Sequence, residues 1–202
     1  MQKWKISALI LAFVCLLSGC ATVRITLPSG KETQKEDAVQ TVEETLFARM
    51  PEEFIFSSGA GGWESKIQLA DDGSFTGYYY DYDLGETGEE YPNGVAWVCE
   101  YSGKFTQPVQ KSETVWSVKV ESVTQEREKG EVYYKDGYRY TIYVPRGFEI
   151  AEEFLIYLPG TPAEDTYYGV YYGMDAVPDG QYSLFNVNGE CEFRGWISND
   201  AA

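Results

Sequence analysis

The chain has 202 residues, 44% hydrophobic and 16% aromatic, enough for a packed core and outside the range of disordered chains. Its 32 acidic against 16 basic residues give a formal charge of −16, a field that repels nucleic acid and anionic lipid headgroups. Histidine is absent, which excludes Ser-His-Asp and Cys-His nucleophile systems, histidine-ligated zinc and the usual neutral-pH proton shuttle.

The first segment carries a basic start at Lys3 and Lys5, an apolar run from Ile6 to Leu17, and Leu17-Ser18-Gly19-Cys20. The run is shorter than the roughly 20 apolar residues a permanent span needs. Small residues directly before a cysteine resemble a bacterial lipobox. That resemblance implies cleavage before Cys20, a diacylglyceryl group on its sulfur, and a chain held at the extracytoplasmic face of the cell membrane. Two acyl chains satisfy the requirement for stable anchoring. The expected organisation is a signal peptide over 1–19, a lipidated cysteine and flexible tether over 20–35, a short helix over 36–50 and a β-barrel domain over 51–202.

The helix is expected because Thr33-Gln34-Lys35-Glu36 has capping-box form, and Val39, Val42, Leu46 and Met50 follow at helical spacing until Pro51. Its expected role is to plug or flank the domain behind it. From Phe54 the period changes to two. Trp63, Ser65, Ile67 and Leu69 alternate with Glu64, Lys66 and Gln68, and Asp72-Gly73 turns the chain into Phe75, Gly77 and Tyr79. The clearest strand places Val95, Trp97, Cys99, Tyr101, Gly103 and Phe105 on one face, and Trp116, Val118 and Val120 form the next inner face.

Glu131 to Val144 reads as a hairpin turning at Asp136-Gly137. Glu152 to Leu158 is ambiguous between strand and helix, and Tyr167 to Tyr172 reads as an edge strand or a rim. A last hairpin turns about Asn188-Gly189. About eight to ten short strands with sequential hairpins predict a mainly β fold, an antiparallel meander closing into a barrel, with a β-sandwich as the alternative. Gly61-Gly62-Trp63 resembles the Gly-x-Trp opening of lipocalin-type barrels and favours the barrel.

A wider resemblance rests on the run Phe54 to Trp63, on Asp72-Gly73-Ser74-Phe75-x-Gly77, on Tyr91-Pro92-Asn93-Gly94, on Gly103-Lys104-Phe105, and on Tyr157-Leu158-Pro159-Gly160-Thr161-Pro162. These are similar to uncharacterised lipoproteins of Gram-positive gut bacteria. The resemblance implies a location and no activity.

Outside the leader, Cys99 and Cys191 form one pair, able to be bridged or to remain as two buried thiols. Asp81-x-Asp83-x-Gly85, with Glu86 beside it, can gather oxygens round a calcium ion, the one cofactor the sequence suggests. The twelfth position from Asp81 is Pro92, so an EF-hand's closing glutamate is missing. Two-carboxylate hydrolysis needs no histidine, yet neither spacing nor an apolar setting singles out a pair among the 32 acids. A non-enzyme is therefore expected.

Tyr78, Tyr80, Tyr82, Trp97 and Trp116 are the candidate ligand residues, because clustered aromatics on a β surface mark binding sites. The expectation is a membrane-tethered binder of a small apolar or glycan ligand in the barrel mouth. Its alternative is a protein-interaction or envelope-structural module with a filled barrel. No nucleic-acid partner is expected. If Cys20 carries the anchor, Cys20→Ala abolishes metabolic lipid labelling and releases the protein from membranes; a mutant that keeps the label sinks the assignment.

Overall fold

The computed structural model describes residues 45–197. The leader, Cys20, the tether and most of the segment expected as a helix lie outside the described residues, as do 198–202. Eleven strands follow a 3₁₀ turn at Phe47–Arg49. They are β1 (Glu53–Ser57), β2 (Trp63–Leu69), β3 (Ser74–Asp83), β4 (Gly94–Phe105), β5 (Val109–Gln110) and β6 (Val115–Gln125). Then come β7 (Val132–Lys135), β8 (Tyr138–Ile142), β9 (Glu153–Tyr157), β10 (Gln181–Asn186) and β11 (Cys191–Trp196).

Eight strands close antiparallel in the order β1-β2-β3-β4-β6-β9-β10-β11, and β11 returns to β1 through the pairing of Ile55 with Arg194. That closure settles barrel over sandwich. Within the barrel, neighbours in space are neighbours in sequence once β5, β7 and β8 are set aside, as a lipocalin-like meander requires. The Gly-x-Trp element does not open the first strand, however. Trp63 begins β2, where it packs edge-on to Phe56 with ring centroids 4.8 Å apart.

The β7–β8 hairpin leaves the meander. Its turn falls at Asp136 (φ 54°) and Gly137 (φ 78°), the paired positive φ values of a type I′ turn. β8 then runs parallel beside the first half of β4, pairing Gly94 with Tyr138 through Val98 with Ile142. The second half of β4, Tyr101 to Phe105, pairs with β6 instead. One strand edge therefore serves two partners. The acidic loop before β4 fastens the inserted hairpin: Arg139 reaches Glu86 at 2.7 Å and stacks over Tyr91, and Asn93 bonds to Asp136 O and Gly137 O.

Side chains fill the barrel. The inward faces contribute Phe54, Ile67, Phe75, Tyr79, Cys99, Tyr101, Phe105, Val118, Phe154, Ile156, Leu184 and Phe193, all buried. Trp97 and Trp116 pack against them. Into this space the connection from β8 to β9 inserts Phe148. Its ring lies 5.0 Å from Phe75, 5.2 Å from Phe154, 5.4 Å from Phe193 and 5.5 Å from Tyr101, centroid to centroid.

Gly147 makes that entry feasible. Its φ is +91°, and a Cβ there would meet the Phe193 ring at 2.6 Å. Asn186 Nδ2 donates to its carbonyl at 2.8 Å, so the buried backbone oxygen is satisfied. Leu46, Phe47 and Met50 join the same core, with Phe47 stacked on Phe105 at 6.4 Å. The described part of the segment expected as a helix, from Thr45 on, is a 3₁₀ turn and not an α-helix.

Replacing Phe148 by Ala leaves an aromatic-sized void among rings that cannot collapse. The expected loss is about 3–5 kcal/mol, read from the shift of the denaturant midpoint. A loss of under about 1 kcal/mol would place the ring outside the core.

Candidate functional site

The five aromatic residues singled out in the sequence do not share a site. β alternation sends Trp97 and Trp116 inward, where both pack on the core. It sends Tyr78, Tyr80 and Tyr82 to the outer face of β3. There they extend a tyrosine layer with Tyr138, Tyr140 and Tyr133 across β8 and β7, at centroid spacings of 4.8–6.2 Å. That layer covers Ala96 and Val98, which are 1% and 4% exposed. Burial pushes the Tyr78 and Tyr140 phenols up to about 12. The set is a packed outer skin over β4.

The acidic trio is also dispersed. Asp83 Oδ1 accepts from Gly85 N at 2.8 Å, Glu86 pairs with Arg139, and Asp81 receives the Tyr79 hydroxyl at 3.4 Å. Among the described residues no group of three His, Cys, Asp or Glu side chains is arranged to hold a metal ion. Cys99 and Cys191 are free thiols, Cys99 in the core and Cys191 Sγ beside Gly147 O.

The site with chemical content lies outside the barrel, in the segment 158–180 between β9 and β10. Two breaks, Pro159-Gly160 and Gly169, fold it back over the outer faces of β9, β10 and β11, where Ala163, Tyr171 and Val177 pack on Val115, Tyr157 and Phe185. Hydroxyls pin its turns. Thr161 Oγ1 donates to Leu158 O and Thr114 O, and Thr166 Oγ1 to Ala163 O and Val170 O. The Tyr157 hydroxyl accepts from Tyr167 N at 2.7 Å, and Gln181 Nε2 donates to the Tyr171 hydroxyl.

Under this segment is a pocket of about 240 Å³ walled by Tyr157, Tyr167, Tyr168, Tyr171, Tyr172 and Phe185. Its one charged group is Glu192, on the outer face of β11 and cross-strand from Phe185. The Glu192 side chain is only 6% exposed. Ser183 Oγ donates to Oε1. Arg194 Nε lies 3.2 Å from Oε2 without hydrogen-bond alignment, and the Tyr171 and Tyr172 hydroxyls also face this carboxylate, which adds to burial in raising both phenols. Arg194 stands at the rim with its guanidinium 4.1 Å above the Tyr172 ring.

Burial first, and the Glu192 charge second, raise the Tyr171 phenol. Tyr172 also holds a left-handed backbone, φ 48°, a strained conformation for a bulky residue. The pocket opens into a wider groove of about 560 Å³ that shares Tyr168, Tyr172, Phe185 and Glu192 and continues to Arg194 and Trp196. The sequence expectation of an edge strand over Tyr167 to Tyr172 is corrected here. Positive φ at Gly169, Tyr172 and Gly173 breaks strand geometry. The tyrosines of the run face a cavity instead of a sheet neighbour.

Compared with known protein families, curated proteins and solved structures, the chain matches none.

The buried thiols and phenols set an alkaline limit. Burial pushes Cys99, Cys191, Tyr79 and Tyr157 up to about 12, from ordinary values of 9.0 for the thiols and 10.0 for the phenols. The unfolded chain gives up these protons first. Their contribution to stability is therefore intact below pH 9.0 and is lost as the pH rises towards about 12. An ultraviolet phenolate titration should show exposed tyrosines ionising reversibly, then a second step coincident with unfolding. Thiol reagents at neutral pH should react with Cys99 only after denaturation.

Proposed function

We propose that the protein is a lipid-anchored, non-enzymatic binding protein of the extracytoplasmic membrane face. The barrel is its scaffold and the tyrosine pocket beneath 158–180 is its ligand site. The observation that carries this reading is Glu192: a buried, incompletely hydrogen-bonded carboxylate in an otherwise aromatic wall. A convergent polar group in a concave apolar pocket is the usual form of a small-molecule site. The leader from Met1 to Cys20 supports the location, and the acidic surface keeps a tethered domain lifted from anionic lipid. Trp97 and Trp116 drop out as ligand residues because they belong to the filled interior.

The alternative, a protein-interaction or envelope-structural module, draws support from that filled interior and from the exposed Tyr78, Tyr82 and Tyr134 beside β4. Native mass spectrometry of the full-length protein, extracted from its host membrane in mild detergent, separates the two. A retained small molecule that denaturation releases and Tyr168→Ala depletes is the expected result. A protein partner in fixed stoichiometry, with no small molecule, would favour the module.

A further inference from the structure

We infer that the tyrosine pocket takes an organic cation, an alkylammonium head boxed by Tyr167, Tyr168, Tyr171 and Phe185, with its charge met by Glu192. The inference rests on this pocket being the ligand site. Four observations converge on the charge and shape of the occupant. Tyr168 stands at right angles to Tyr167 (86°) and to Phe185 (85°), and Tyr171 to Tyr172 (88°), while Phe185 stacks with Tyr167 (29°) and Tyr157 (30°). Such corners enclose a compact head on several sides, whereas a sugar ring stacks on an open flat face. Each ring turns a partly negative face or an electron-rich hydroxyl to its surroundings, and several rings around one cation add their attractions.

Glu192 is the one acidic side chain on the wall, its Oε2 3.2 Å from the Arg194 guanidinium and without an aligned hydrogen bond to it. An apolar ligand would leave that buried carboxylate without a further counter-charge, and an anion would be repelled. The covering segment 158–180 also has four acids, Glu164, Asp165, Asp175 and Asp179, and no Lys or Arg. Finally, the protein already places one cation on this wall. The Arg194 guanidinium lies over Tyr172 and 3.2 Å from Glu192 Oε2, on a side chain that is 36% exposed. A ligand ammonium takes the deeper position on the same carboxylate, and its substituents run into the groove towards Trp196.

The test is calorimetric titration of the full-length chain in detergent with choline and with 3,3-dimethylbutan-1-ol, its uncharged carbon isostere. Choline should bind about tenfold more tightly than the alcohol. Glu192→Gln, which keeps shape and removes charge, should erase that preference while thermal unfolding stays cooperative. Tyr168→Ala, which truncates an exposed ring outside the core, should weaken choline as well, so the inference stands or falls even if Glu192→Gln fails to fold. Equal binding of the two compounds by the wild type overturns the cation assignment and leaves the pocket reading intact. A choline preference unchanged in both variants puts the cation elsewhere and overturns the site. Neither compound binding at about 10 mM overturns the cation assignment and leaves the pocket reading to the native mass spectrum.

Discussion

Insertion of Phe148 into the barrel is the constraint on which the rest of the structure depends. A closed eight-stranded barrel is just wide enough to be filled by side chains or to hold one small ligand. This chain takes the first course, with a ring delivered by a connection and not by a strand. Phe148 touches the inward aromatics of β3, β4, β9 and β11, so it joins opposite walls that have no hydrogen bonds to each other. Such aromatic contacts add stabilisation beyond area burial. Gly147 and the Asn186 side chain exist in their present form to let the backbone enter and remain satisfied.

A filled interior leaves the outer surface as the place for a cavity, and the outer surface is unusual in two places. Over β4, tyrosines from β3, β7 and β8 close on small and β-branched residues, Ala96 and Val98. Over β9, β10 and β11 the covering element is the long segment 158–180. A connection of that length without strand or α-helix is uncommon unless it has a task of its own. Here it is ordered by hydroxyl-to-carbonyl bonds and a small second core. Both places are aromatic, and the difference lies in what sits beneath. Under β4's skin the neighbours are all apolar. Under 158–180 the apolar neighbours Val115, Tyr157 and Phe185 are joined by a carboxylate, Glu192.

Legibility in the sequence followed the range of the interactions. Alternation in β2, β3, β4 and β6 was readable because a strand's two faces are decided by immediate neighbours. The turns at Asp72-Gly73 and Asp136-Gly137 were readable because positive φ demands particular residues. Phe148 gave no signal: a single ring after Pro145-Arg146-Gly147 has no period, and its partners are spread over more than 100 residues of chain. The candidate ligand residues failed for a related reason. Trp97 and Tyr82 are near in sequence and both aromatic, yet strand parity puts them on opposite sides of the sheet. Glu192 was one acid among 32, and only burial sets it apart.

That burial is where local rules and global fold disagree. The cross-strand and diagonal neighbours of Glu192 are Phe185 and Ser183, a setting in which an outward-facing apolar residue would pack without penalty. A carboxylate there must give up hydration, which the Ser183 hydroxyl, the Arg194 guanidinium and the neighbouring Tyr171 and Tyr172 phenols replace only in part. The nearby left-handed backbone at Tyr172 adds a second local cost in the same wall. Folding alone requires neither feature, since the barrel closes and fills on the other side of the sheet. Two departures from low-energy choices converge on one cavity, and it is this convergence that supports reading the cavity as the ligand site proposed above.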